Sequence, residues 1–74
     1  MISKTYSIPN ISCGHCTATI ERELVQLAGV EKVIAQIEPK QVIVEVNRES
    51  VFRDVENTLN EIGFPIVAQV FSLG

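Results

Sequence analysis

The sequence predicts an α+β sandwich whose elements run strand, helix, strand, strand, helix, strand. Three observations predict it. Apolar residues alternate with polar ones in three short runs, as in strands with one wet face. In two longer runs they recur every three or four positions, as on one face of a helix. A glycine closes both helical runs, in Leu27-Ala28-Gly29-Val30 and in Ile62-Gly63-Phe64, so the chain reads as two strand-helix-strand units.

Each element follows from its residues. In residues 2–8, Ile2, Tyr6 and Ile8 share one parity while Ser3, Thr5 and Ser7 share the other. Pro9-Asn10 breaks this strand, and residues 11–14 form a loop. From His15 to about Ala28 the period changes, with Cys16, Ile20, Leu24 and Leu27 on one helical face. Glu21, Arg22, Glu23 and Gln26 fall on the other sides, and Gly29 supplies the stop. Residues 30–38 alternate again, with Val33, Ala35 and Ile37 together. Pro39-Lys40 is a turn signal, Pro39 suiting the second turn position. Val42, Val44 and Val46 then face inward, which makes a hairpin with the preceding strand. Ser50 is placed to cap a second helix carrying Val51, Val55, Leu59 and Ile62, ended by Gly63. Pro65 opens a last strand over residues 66–71. This order suits the ferredoxin-like arrangement, a four-stranded antiparallel sheet with two helices on one face.

Composition narrows the function. Seventy-four residues fit one small domain, 1–74, and 46% hydrophobic residues supply its core. The net charge is −3 and the six basic residues are scattered, so the clustered basic face of a nucleic-acid binder is missing. No apolar run approaches the about 20 residues a membrane helix needs, and the N-terminus has no long apolar leader core. Two cysteines without an export signal point to a reducing, cytoplasmic compartment, where a CxxC reads as metal or redox chemistry before structural disulfide.

That CxxC, Cys13-Gly14-His15-Cys16, is the chemical centre of the chain. It falls where the first strand gives way to the first helix. Unpaired N–H groups at a helix start favour negative charge, and the thiolate is both metal ligand and nucleophile. Two thiolates on a short loop form a compact, soft site. Soft sulfur ligands suit Cu(I), which is content with two sulfurs, whereas a structural Zn(II) site wants four donors. Within the loop only Cys13, Cys16 and His15 offer any. A dithiol redox site is the rival reading, since Cys-Gly-His-Cys is also a disulfide isomerase string. The thioredoxin-type motif normally has Trp before its first cysteine, however, and here Ser12 stands there in a chain with no Trp. A third reading makes both cysteines ordinary core residues. Cys16 lies on the helical stripe and is expected to be partly buried; Cys13, in a polar Gly-containing loop, is not. No general base, nucleophile triad or phosphate loop accompanies the thiols, so no enzyme is expected.

Over its whole length the chain resembles the heavy-metal-associated (HMA) domain, the family of copper metallochaperones and of the N-terminal modules of metal-transporting P-type ATPases. The family motif is Met-x-Cys-x-x-Cys in the first strand-helix loop, where this chain has Ile11-Ser12-Cys13-Gly14-His15-Cys16. The resemblance implies a metal carrier using Cys13 and Cys16. Its cargo would be Cu(I), with Zn(II), Hg(II) or Cd(II) as alternatives. The ion would pass by thiolate exchange to a copper-transporting P-type ATPase or its homologous domain, and two copies can share one ion through four sulfurs. A start at Met1 and a stop soon after the last strand favour a free-standing protein, although an excised ATPase module would look identical. Ile11 replaces the family Met and would plug the core beneath the loop without ligating. Ser12 stands where zinc- and cadmium-selective relatives tend to carry Asp, a hard third ligand. Phe64 would lie beside the metal loop, where bacterial copper chaperones often have Tyr; shielding of the ion and plain core filling both fit it. His15 reads as an exposed loop residue, with a role in pH-dependent release left open. Thr17 and Thr19 are placed near the first helical turn or on its wet side, and Glu21, Arg22 and Glu23 on a solvated face, with partner docking as the alternative role. Ile34, Ile43, Val67 and Phe71 would form an apolar patch on the open face of the sheet.

Overall fold

The computed structural model describes residues 2–12 and 14–73. The elements are β1 (Ile2–Ser7), α1 (Gly14–Val25), β2 (Val30–Gln36), β3 (Gln41–Val46), α2 (Val51–Glu61) and β4 (Ala68–Leu73). They form one four-stranded antiparallel sheet in the order β2-β3-β1-β4. The expected architecture is therefore present, with the two strand-helix-strand units interleaved so that β1 and β3 lie at the centre.

The core lies between the sheet and the helices. Tyr6, Val42, Val44 and Val46 close it from below, while Ile20 and Leu24 of α1 and Val51, Phe52, Val55 and Leu59 of α2 cover it. Both helical stripes read from spacing are the buried ones; Cys16, Leu27 and Ile62 pack at their margins. Phe52 joins the core although the stripe of every fourth residue passes it by. It meets the Tyr6 ring edge-on, with centroids 6.5 Å apart. Lys4 shares the inward parity of Tyr6. It ends in an ion pair with Glu56 at 3.2 Å, while Tyr6 Oη donates to the same carboxylate at 3.0 Å. Its ammonium lies 5.0 Å from the Phe52 ring centre. The charge thus remains at the seam, held between the Glu56 carboxylate and the two rings.

The element ends depart from the sequence reading for local reasons. Helix α1 stops at Val25, not Ala28, because Leu27 N–H bonds to Leu24 O and Val30 N–H to Leu27 O in tight three-residue steps. Ser50 does not cap α2. It is already helical (φ −60°, ψ −22°) with no side-chain bond, because Val51, Phe52 and Arg53 N–H groups bond to the carbonyls of Arg48, Glu49 and Ser50. Strand β2 ends at Gln36. Ile37 is turned out into the connection, 44% exposed rather than aligned with Val33 and Ala35, and the Glu38–Pro39 peptide there is cis. Strand β4 begins at Ala68, not residue 66, since β1 offers partners only as far as Ser7. Glu21 is not on a purely solvated face: its carboxylate accepts the Ala35 N–H at 3.0 Å, covering the outer edge of β2.

The open face of the sheet carries the row Ile34, Ile43, Thr5 and Val70, aligned by register across all four strands. Val70, 63% exposed, takes the place expected for Val67, which precedes the strand. The Phe71 side chain, also expected on this face, lies outside the described part of the structure.

Candidate metal centre

The site is built by the β1–α1 connection. Ile11 N–H bonds back to Ile8 O at 3.2 Å, closing a turn with Pro9 and Asn10 at its corners, the position Pro favours by its fixed φ. Ile8 and Ile11 are fully buried and Pro9 and Asn10 exposed. Alternating burial thus pins both feet of the turn in the core and leaves its tip in water. Ile11 accordingly fills the apolar place beneath the loop.

Helix α1 then opens at Gly14. Its first turn holds His15, Cys16 and Thr17 and no acidic residue, so no carboxylate competes there for the positive end of the helix. His15 is exposed. Cys16 is half-buried against the core, as the stripe requires, and its Sγ lies 3.8 Å from Ser12 Oγ and 4.0 Å from Asn10 O. Thr17 Oγ1 donates to Gly14 O at 2.9 Å, bracing the turn from the other side. Cys13 lies outside the described residues. Among the described residues, no three His, Cys, Asp or Glu side chains gather into a ligand set.

The α2–β4 connection lies against this loop. Gly63 has φ +90°, Phe64 N–H bonds to Leu59 O at 2.8 Å and Gly63 N–H to Asn60 O at 3.3 Å, which together make a Schellman close. That motif brings the residue after the glycine back over the last helical turn, and Phe64 is packed half-buried against the core. Asn10 Nδ2 donates to Gly63 O at 3.0 Å, joining the two connections. Sequence reasoning passed over Asn10. The signal available was the Pro-Asn pair itself, since Asn at a turn carries an amide able to reach a neighbouring backbone.

A sequence profile of the heavy-metal-associated domain matches residues 5–65. The chain belongs to this family. Among curated relatives it is 28% identical to the copper chaperone CopZ of Enterococcus hirae, over 85% of this chain and 93% of that protein. It is 30% identical to the COP-associated protein of Helicobacter pylori, over 85% and 96%. Among solved structures, a heavy metal binding protein of Thermotoga maritima is 30% identical, with a TM-score of 0.76 over 90% of this chain and 94% of that one. As a heavy-metal-associated domain, this chain is a heavy-metal-binding module of a family of carriers and carrier domains, not of catalysts. Among the described residues, no helix is long and apolar enough to cross a membrane.

Proposed function

We propose that this heavy-metal-associated domain is a cytoplasmic Cu(I) carrier, not an enzyme, that holds one ion between Cys13 and Cys16. The observation that carries the reading is the position of Cys16. Its sulfur sits at the lip of the core in an acid-free first helical turn, three residues from a second cysteine in sequence. That setting favours thiolates, and paired thiolates favour a soft monovalent cation. The copper chaperone relative supports the same cargo. Loading releases protons, because both sulfurs must be deprotonated to ligate. Delivery goes to the homologous domain of a copper-transporting P-type ATPase. An incoming thiolate of the acceptor adds to the ion, one sulfur of this chain leaves, and a second exchange completes the transfer with no change in oxidation state. Ile11, Ser12, His15 and Phe64 surround the ion without ligating it.

Anaerobic titration of the reduced protein with Cu(I) against a competing chelator tests this. One tightly held ion per chain is expected in the wild type and none in a Cys13→Ser, Cys16→Ser double variant. Unchanged tight binding in that variant refutes the ligand assignment. Preference for Zn(II), Cd(II) or Hg(II) in competition refutes the cargo, and disulfide-exchange turnover matching a dedicated redox protein refutes the carrier role. Size measurement during the titration shows whether two copies share an ion.

A further inference from the structure

Asn10 touches both connections at the site end of the fold. Its side-chain amide donates to Gly63 O, and its own carbonyl is the acceptor 4.0 Å from Cys16 Sγ. The residues around both ends are anchored. Ile11 is buried and bonded to Ile8, while Phe64 is bonded to Leu59 and packed against the core. Gly63 lies two residues beyond the end of α2, just after the Ile62 cap, with φ +90°, so its carbonyl points out of the helical ladder and needs another donor. We propose that Asn10 is a positioning residue, a strap that ties the thiol loop to the Gly63–Phe64 turn and thereby slows loss of a bound soft cation. The inference rests on the reading of Cys13 and Cys16 as the metal pair. The physical reason is that the two connections are far apart in sequence. The Val67 N–H bond to Ser7 O at 3.0 Å already joins their strand ends, but Asn10 ties the tip of one to the tip of the other; without the strap the tips are freer to part, and an ion must then order the loop as it binds.

The test uses the full chain with Asn10→Ala and with Asn10→Asp, which keeps the shape but has no amide donor. In the metal-free protein, amide hydrogen exchange reads the strap at both feet. Protection of the Ile11 and Phe64 N–H groups is expected to fall about 2- to 13-fold in both variants, the range for one net hydrogen bond. Protection across β3 and the unfolding constant read from urea are expected to change by no more than that same factor, because a bond lost from the native state lowers local and global stability alike. In the loaded protein, the rate of Cu(I) loss to excess chelator should rise by the same factor. Unchanged protection at either amide overturns the strap whatever the metal does. So does wild-type protection in the Asp variant, which would assign the effect to side-chain volume. Lowered protection with an unchanged release rate overturns the positioning role and leaves a purely structural contact. Failure of the wild type to bind Cu(I) would instead strike the carrier reading, while the exchange data would still judge the strap.

Discussion

Substituting the two positive-φ glycines separates a conformational cost from a packing cost. Gly29 has φ +94° and Gly63 φ +90°, so alanine at either site meets the same left-handed backbone, worth about 1–2 kcal/mol for an L-residue. Their surroundings differ. A Cβ at Gly29 would stand 2.5 Å from Val51 Cγ2 and 2.9 Å from Asn47 Oδ1, while one at Gly63 would meet nothing within 4 Å among the described residues. The exposed Asn47 can swing aside. Val51 cannot: it is β-branched, 5% exposed and held in the first turn of α2, where one rotamer dominates. Overpacking of that kind costs about 1–3 kcal/mol. Gly29→Ala is therefore expected to lose about 2–5 kcal/mol and Gly63→Ala about 1–2, the difference being the methyl clash. For a domain of this size, each kcal/mol lowers Tm by about 4–8 °C. Urea unfolding followed by circular dichroism, with the m-value checked for constancy, gives both numbers. Equal losses at the two positions would refute the argument, because they would mean the α2 terminus yields to the added methyl.

Three further outcomes follow from the packing. Burial, the nearby Glu56 charge and the bond to Glu56 hold the Tyr6 phenol above its ordinary range. In the unfolded chain Tyr6 ionises near pH 10, so above that pH the unfolded state binds fewer protons than the folded one. Stability is full below that point and should fall by up to about 1.4 kcal/mol per pH unit as it is passed. Tyr6→Phe should flatten the urea midpoint between pH 9 and 11, and an unaltered slope would count against the buried phenol. Glu21→Ala should cost about 1 kcal/mol and speed hydrogen exchange at the Ala35 amide, whereas Glu21→Gln, still an acceptor, should keep most of its protection. Ile11→Ala should lose about 2–5 kcal/mol by opening a cavity under the metal loop. Ile11→Met, near in volume, should cost less than about 1.5; similar losses for both would show that Ile11 is not packed as described.

Much of this fold is legible in the chain because burial and period coincide. Val42, Val44 and Val46 can face inward only as a strand, and Ile20 with Leu24 only as a helix. The helix exits are legible because Gly29 and Gly63 occupy conformations other residues avoid. Contacts that depend on distant chain are not legible. Nothing local shows that Glu21 will reach Ala35, that Lys4 and Glu56 will meet 52 residues apart, or that Asn10 will find Gly63. Ser50 misled for the opposite reason: the right residue type stood before the helix, but the preceding turn had already satisfied the donors it would have capped. At the site, the half-burial of Cys16 follows from the stripe and the full burial of Ile11 from the plug expected beneath the loop. The bond between the two connections follows from neither.

The register puts the two glycine turns at opposite poles of the sheet. Val30, just after Gly29, aligns with Val46 and Ile2, whereas the thiol loop leaves from Ser7 beside Gln41. Six residues of β1 separate these poles, about 17 Å of extended chain. A dye, resin or fusion partner attached through the exposed Asn47 or Arg48 would therefore hang from the end remote from the sulfur, leaving that mouth clear for an incoming domain.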